Sequence, residues 1–167
     1  LAASGYRRAQ LLYNTFFLDY PERLQYPYKS ALDKHSIQLD VSPEWCCEWN
    51  PESEVSAYKT TAANLAAGTI PKLLLCFNDQ AALGAIAAVR DAGLKIPEDV
   101  GVVGRDGLLM LKYMRPSLSS LVRPDGRLIA GTAFDMLLQM MNTPAFQPSP
   151  ARLHVRFEPG DTILHNL

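Results

Sequence analysis

The chain has 167 residues, of which 48% are hydrophobic and 20% charged, and this composition suits one globular domain with a core. Its 16 lysines and arginines are balanced by 17 aspartates and glutamates, so it lacks the positive surface that nucleic-acid binding requires. The apolar stretches are shorter than the ~20 residues of a membrane span, and no secretory signal pattern opens the chain. We expect a cytoplasmic protein with no membrane partner.

The first half of the chain is predicted to alternate between extended and helical segments. Short apolar runs indicate strands, and Pro21 suits the first position of a helix. The predicted segments are a strand at 9–13, a helix at 22–35, extended runs at 37–39 and 43–49, and a helix at 52–67 that begins near Asn50 or Pro51.

The middle of the chain predicts a buried parallel sheet. The continuous apolar run at 72–77 is typical of a strand covered on both faces. Asn78 or Asp79 can then cap a helix that runs to Ala92, and a second buried strand follows at 100–104. Because strand and helix alternate, the fold class is α/β with right-handed crossovers.

The pattern changes after Gly104. Residues 105–116 form a long irregular connection, 118–122 a short strand, and 125–141 a helix with apolar residues on nearly every side. Such a helix is expected to be covered on more than one side. The chain closes with an alternating strand at 152–157, in which Leu153, Val155 and Phe157 share one face.

The three cysteines and three histidines give no metal site. Cys46 and Cys47 are adjacent, and a disulfide between neighbours would be strained, so a reducing compartment is expected. His35, His154 and His165 form no short spacing with cysteine of the kind that zinc sites use. No glycine-rich phosphate loop is present, and neither a metal nor another cofactor is predicted.

Three stretches resemble the lactose-repressor-type (LacI/GalR) transcription regulators. Residues 77–106, FNDQAALGAIAAVRDAGLKIPEDVGVVGRD, follow the family pattern N-D-x-x-A-x-G, then G-x-x-x-P-x-D and V-V-G-x-D. RPSLSS at 115–120 is similar to the family's P-P-L-T-T, and 5–32 is similar to its G-x-R-R strand and following helix. The resemblance implies a type I periplasmic-binding-protein-like effector domain, whose two α/β subdomains are joined by three crossing segments.

The same resemblance implies a division of the chain. Residues 1–107 would be the C-terminal effector-binding subdomain, 108–150 a crossover and a strand–helix segment of a missing N-terminal subdomain, and 151–167 the return strand. DNA would be bound only through a headpiece absent from this chain.

Asn78 and Asp106 are the first candidate ligand contacts. Each follows a buried strand, and open α/β sheets bind ligands at the carboxyl ends of their strands. Both match family positions that bind the effector, and an amide and a carboxylate can hydrogen-bond to sugar hydroxyls. Asn78 could instead be only a helix cap, and Asp106 only a turn residue.

Arg23 and Trp49 are further candidates that rest on the resemblance. Arg23 matches a family arginine that points into the cleft, although an arginine early in a helix is more often a solvated surface residue. Trp49 lies where the family often has an aromatic, and an indole face suits the apolar side of a pyranose. Trp45 competes for this role, either tryptophan could be core packing, and Phe16 and Phe17 are weaker candidates.

Departures from the family pattern affect the cleft more than the fold. Arg105 replaces a common aromatic, Gly107 replaces a second aspartate, and Tyr26-Pro27 interrupts the helix. The effector's identity is therefore open.

The resemblance also implies a two-fold homodimer. The contact would use the helix at 80–92 and the connection at 108–114, where Gly84, Ala85 and Ala88 would allow close helix approach. The alternative is packing within one chain. The candidate interface residues are Leu83, Gly84, Ala88, Met110 and Met114.

Effector sensing is the leading interpretation, with a sugar as the expected small-molecule effector. A solute-binding receptor of a transporter shares the fold and is the alternative. An enzyme is not expected, because Ser119, Ser120, the histidines and isolated carboxylates show no nucleophile–base spacing.

Overall fold

The computed structural model describes residues 4–49, 52–143 and 145–165. Seven strands form one sheet in the order β2-β1-β4-β5-β6-β7, and β3 pairs with β1. The strands are β1 (Arg8–Asn14), β2 (Gln38–Asp40), β3 (Cys46–Cys47), β4 (Leu73–Cys76), β5 (Gly101–Asp106), β6 (Ser119–Val122) and β7 (Arg156–Glu158). The helices are α1 (Gln25–Asp33), α2 (Ser53–Ala66), α3 (Asp79–Asp91) and α4 (Gly126–Asn142).

The sheet is parallel except at β7, which confirms the predicted α/β class. Its centre is apolar: Leu11 and Leu12 of β1, Leu74 of β4, and Val102 of β5 are all inaccessible to solvent. All four residues of β4 are buried, so both faces of this strand are covered, which explains the unbroken apolar run at 72–77. No helix in the described part of the chain is long and apolar enough to cross a membrane.

The first half departs from its prediction in two places. The helix predicted at 22–35 divides at Leu24 into a single 3-10 turn, Pro21–Arg23, and α1. Pro27 lies in the first turn of α1, where a backbone N–H would have no partner within the helix, so proline is tolerated.

The segment predicted as a strand at 43–49 is a 3-10 turn, Pro43–Trp45, followed by the two residues of β3. Asn50 and Pro51, predicted near the start of α2, lie outside the described residues.

β6 corrects the predicted division of the chain. It pairs in parallel with β5, with Val103 opposite Ser119 and Gly104 opposite Ser120. Residues 118–122 therefore belong to the same sheet as 1–107 and not with the segment that follows them. The physical reason is polar anchoring of the two buried serines: Ser120 Oγ donates to Asp79 Oδ1, and Ser119 Oγ donates to the Gly160 carbonyl.

The C-terminal tail closes the sheet through one buried threonine. Thr162 Oγ1 donates to the Val102 carbonyl at 2.7 Å and accepts from the Ser119 N–H at 2.9 Å. The strand predicted at 152–157 is shorter than expected and starts at Arg156. Val155 and Phe157, predicted to share an apolar face, are both exposed.

α4 has no buried residue. Its exposed apolar side chains are Leu128, Ile129, Phe134, Leu137, Leu138, Met140 and Met141. The all-round apolar pattern predicted a helix covered on more than one side, and no described residue of this chain buries it.

Candidate functional site

A cavity of about 270 Å³ lies at the carboxyl edge of the sheet. β1 ends there in Asn14, and β4 is followed there by Phe77 and Asn78. This is the edge at which parallel sheets bind ligands. Four aromatic rings and two amide side chains line it: Asn14, Phe16, Phe17, Trp49, Phe77 and Asn78.

The structure separates the two tryptophans. Trp45 is 1% exposed and packs in the core, whereas Trp49 is 64% exposed and lines the cavity. The Trp49 ring lies 6.0 Å from that of Phe16, and its backbone N–H donates to Thr15 Oγ1 at 3.1 Å. Phe16 and Phe17, the weaker candidates from the sequence, lie in the same cavity wall.

Asn78 caps α3, as the alternative interpretation predicted. Its Oδ1 accepts from the Ala81 N–H at 2.7 Å, and its Nδ2 donates to Ser53 Oγ at 3.3 Å. The same side chain lines the cavity. Nδ2 carries a second hydrogen, so the cap and a ligand hydrogen bond are compatible.

Asp106 ends β5 in a conformation that residues other than glycine rarely adopt, with φ at 134°. Its Oδ1 lies 3.2 Å from Arg123 Nε. Burial raises the pKa of Asp106, the Arg123 charge opposes that rise, and the nearby Asp79 charge adds to it. Strained residues are frequent at binding sites, where surrounding contacts hold them in place.

Arg23 lies on the aromatic wall and not inside the cavity. Its guanidinium carbon is 4.6 Å from the centre of the Tyr20 ring and 6.0 Å from that of Phe16. Stacking of this kind holds an arginine over aromatic faces through cation–π attraction. Because Phe16 lines the cavity, Arg23 is one residue removed from it.

Asp79 is the residue that sequence reasoning missed. It is fully buried and accepts three hydrogen bonds: from Gly107 N–H at 2.7 Å, from Leu108 N–H at 2.8 Å, and from the Ser120 hydroxyl at 2.6 Å. It thus holds the loop after β5 against β6 and the start of α3. The sequence signal was the Asn78-Asp79 pair at a strand end, but it suggested only a choice of helix caps.

Tyr28 is a second residue without a predicted role. Burial raises its pKa to about 12, and the Arg105 charge opposes the rise. Its phenol therefore stays protonated at neutral pH and can both donate and accept a hydrogen bond beside β5.

A second cavity, of about 580 Å³, lies between α2, α3 and the loop after β5. We call it the helical groove; Leu83 and Met110 from the predicted interface line it with Val55, Tyr58, Ala87 and Leu108. The close approach predicted for Gly84 is to α2 of its own chain, because a Cβ there would lie 2.0 Å from the Glu54 carbonyl oxygen. Gly84 also lines the helical groove, whereas Ala88 is buried and Met114 packs against the core of its own chain.

Comparison with known proteins identifies the family to which this chain belongs. The model of the periplasmic binding protein-like domain matches residues 1–163, and the chain belongs to this family. The transcriptional repressor PurR of Vibrio vulnificus is 31% identical over 144 residues, which cover 85% of this chain and 41% of that protein. PurR of Pasteurella multocida is 31% identical over 116 residues, covering 70% of this chain and 34% of that protein.

Within this family the chain is of the lactose-repressor type, which confirms the resemblance seen in the sequence. A lac repressor dimer bound to operator and the anti-inducer ONPF is 28% identical, with a TM-score of 0.80, over 99% of this chain and 55% of that chain. A LacI family regulator of Enterococcus faecium with bound ribose is 27% identical, with a TM-score of 0.73, over 96% of this chain and 58% of that chain. The chain thus spans about two fifths of the Vibrio repressor.

Proposed function

We propose that this chain is the effector-sensing part of a bacterial transcription regulator, with a sugar as effector. The cavity at the carboxyl edge carries the proposal: aromatic faces can pack on the apolar side of a sugar ring, and the amides of Asn14 and Asn78 can bond its hydroxyls. Asp106, at the end of β5, and Arg23, which stacks on Phe16 of the cavity wall, would complete the contacts from this side. A neighbour of known structure holds ribose.

The effector would act by favouring one arrangement of two subdomains over another. A ligand shifts such an equilibrium only through its different affinity for the two states. DNA would be bound by a headpiece outside this chain, which agrees with the chain's net charge of −1. The relatives are named as repressors, so a transporter's solute receptor is not favoured, and we propose a cytoplasmic, non-enzymatic role.

The domain assignment is likewise a proposal. Residues 4–122 and the return segment at 151–165 would be the C-terminal subdomain, and α4 would pack in an N-terminal subdomain. The uncovered apolar surface of α4 supports this, because surface of that extent on a helix marks a contact site.

We also propose that the helical groove receives a second copy of the chain. Met110 is 69% exposed, and Leu109 and Tyr113 beside it are also exposed. Exposed apolar residues around a groove are typical of a homodimer interface. A structural neighbour of the same fold is a lac repressor dimer.

Replacement of Asp106 by alanine tests the sensing role in the full-length protein. Loss of a charged hydrogen-bond partner costs roughly 1.5–3 kcal/mol, which is about one to two decades in affinity. We expect calorimetry to show that loss for the sugar, with effector-free operator binding unchanged. Asp33→Ala is the matched control, because the Asp33 side chain forms an exposed ion pair with Lys29 on α1. Unchanged sugar affinity in Asp106→Ala would leave Asp106 as a turn residue only.

A further inference from the structure

Asn14 has a buried side-chain oxygen to which no described residue donates a hydrogen bond. The residue is 2% exposed, and its Oδ1 has no hydrogen-bond partner among the described residues. Asn14 precedes the 3-10 turn Thr15–Phe17, but its side chain does not cap that turn. Its backbone is extended, with φ −118° and ψ 167°, so no special backbone conformation requires an asparagine here.

Asn14, the residue that carries this oxygen, is part of the lining of the aromatic cavity. Asn14 is the last residue of β1 and lies opposite Cys47 of β3. On the other side of β1, the Phe77 N–H donates to the Leu12 carbonyl at 3.0 Å, and the chain then turns into Asn78. Asn14 thus lies between two strand ends and lines the cavity together with Phe77 and Asn78.

An unbonded buried acceptor is unfavourable in the empty protein. The Asn14 oxygen loses its hydrogen bonds to water when it is buried, and no described residue replaces them. An apolar residue of similar size would avoid this loss. The observation is explained if the missing donor belongs to a ligand.

The lining of the cavity restricts the ligand's chemistry. None of the six described residues around it carries a charge, and four of them are aromatic. The cavity therefore suits a neutral ring compound that offers its flat face to Phe16 or Trp49 and its polar edge to the amides. A hydroxyl group is the donor that such a compound can direct at Asn14 Oδ1.

We propose that Asn14 is a specificity residue whose side-chain oxygen accepts a hydrogen bond from one hydroxyl of a neutral sugar held in this cavity. The inference rests on the proposed sugar-sensing function and adds to it the residue that distinguishes one hydroxyl pattern from another. A site built to bond a hydroxyl rejects the analogue lacking it, because the protein's polar group is then left unpaired.

The test compares sugar affinity with stability in the full-length protein. D-ribose, D-glucose, D-galactose and lactose are titrated by calorimetry, and the tightest binder is followed by its monodeoxy derivatives. In Asn14→Ala we expect the affinity for that sugar to fall about tenfold or more and the melting temperature without sugar to stay the same or rise. One monodeoxy derivative should bind the wild type more weakly than the parent sugar does, with no such difference in Asn14→Ala.

Two further variants separate ligand binding from a structural role. Asn14→Leu keeps the volume without a hydrogen-bonding group, and it should lose affinity as Asn14→Ala does even if alanine leaves a destabilising void. Asn64 is the control, because its Nδ2 donates to the Glu44 and Thr60 carbonyls. Asn64→Ala should lower the melting temperature and leave sugar affinity unchanged.

Each contrary outcome has one meaning. If both Asn14 variants bind the sugar as tightly as the wild type, the role of Asn14 is wrong and the sensing function stands. A lower melting temperature with unchanged affinity would likewise make Asn14 structural. If the wild type binds none of the four sugars, the sugar-sensing function is wrong and the role of Asn14 with it.

Discussion

Asp106 combines a strained backbone with a charge that its surroundings disfavour. Its φ is 134°, and burial raises the pKa of its carboxyl group. If stability alone decided the residue, glycine would be favoured because of the positive φ. A neutral side chain would also be favoured over a charged one at this partly buried position. The ligand-binding role proposed for Asp106 would explain why both features persist in one residue.

The raised pKa of Asp106 predicts a pH-dependent stability difference. A raised carboxyl pKa means that stability from this group is present below the ordinary value of 3.8 and is lost as the pH rises through the folded-state pKa. Asp106→Asn should therefore be more stable than the wild type at pH 7, and the two should converge near pH 4. In Asp106→Asn, Arg123 loses its ion pair, but its side chain is exposed and its charge stays hydrated.

Urea denaturation of both proteins at pH 4 and pH 7 measures this difference. A wild type that is the more stable protein at pH 7 would mean that the Arg123 ion pair outweighs burial.

Asp79 shows how one buried carboxylate organises three segments. Its hydrogen bonds connect the start of α3 with Gly107, Leu108 and Ser120. Asp79 thus follows the cavity residue Asn78 in the chain and accepts a hydrogen bond from the helical-groove residue Leu108. The position of the loop after β5 depends on this residue.

At the scale of elements, the contact between α2 and α3 depends on Gly84. The backbone of α2 passes so close that a Cβ at Gly84 would overlap the Glu54 carbonyl and approach the Tyr58 nitrogen to 2.9 Å. Backbone atoms cannot rotate away as a side chain can. The two helices would have to separate to admit one methyl group.

Gly84→Ala should therefore destabilise the chain by roughly 1–3 kcal/mol, the usual cost of overpacking. Gly131→Ala in α4 is the matched control, because a Cβ there meets no atom within 4 Å. That change should stabilise α4 by roughly 0.5–1 kcal/mol through helix propensity. Urea denaturation measures the free energy of unfolding of both variants, which should fall in Gly84→Ala and rise in Gly131→Ala. An equal change in the two variants would contradict the tight α2–α3 contact.

At the scale of the whole molecule, the helical groove and α4 are apolar surfaces that no described residue covers. The helical groove lies beside Asp79 and its loop, while α4 extends from the end of the sheet with its apolar residues in solvent. We expect the helical groove to bind a second copy of the chain and α4 to pack in an N-terminal subdomain, as proposed above.

Met110→Asp should weaken dimer formation by the full-length protein roughly tenfold or more, because a charge would be buried at the contact. Ile70→Asp replaces another exposed apolar residue away from the helical groove and should leave dimerisation unchanged. Sedimentation equilibrium gives the dimer dissociation constant of each variant. Equal dimerisation by the two variants would place the interface elsewhere.

Phe134→Ser with Leu137→Ser in α4 should reduce self-association of the 167-residue chain. Burial of such side chains is worth about 1.5–3 kcal/mol each, so the chain alone should associate through them. The same double change should destabilise the full-length protein, where α4 would be covered. Light scattering and thermal melts measure these two effects, with Gln139→Ser as the polar control. Improved solubility without loss of full-length stability would contradict the subdomain assignment.

The sequence by itself determined the central part of the sheet and the family. The predicted strand at 72–77, helix from 78 to 92 and strand at 100–104 correspond closely to β4, α3 and β5. Local sequence features predict these elements: a run of apolar side chains, a capping asparagine and a glycine after the last helical turn. Local features are the ones that a linear pattern can carry.

Tertiary structure decided which segments meet. The pattern at 118–122 indicated a strand but not its partner, and only the sheet showed that it lies beside β5. The role of Asp79 depends on Ser120, which is 41 positions away, and that of Gly84 on the path of α2. The unbonded oxygen of Asn14 is likewise visible only when its surroundings are complete. Burial and hydrogen-bond satisfaction depend on every neighbour in space, and those neighbours are distant in the chain.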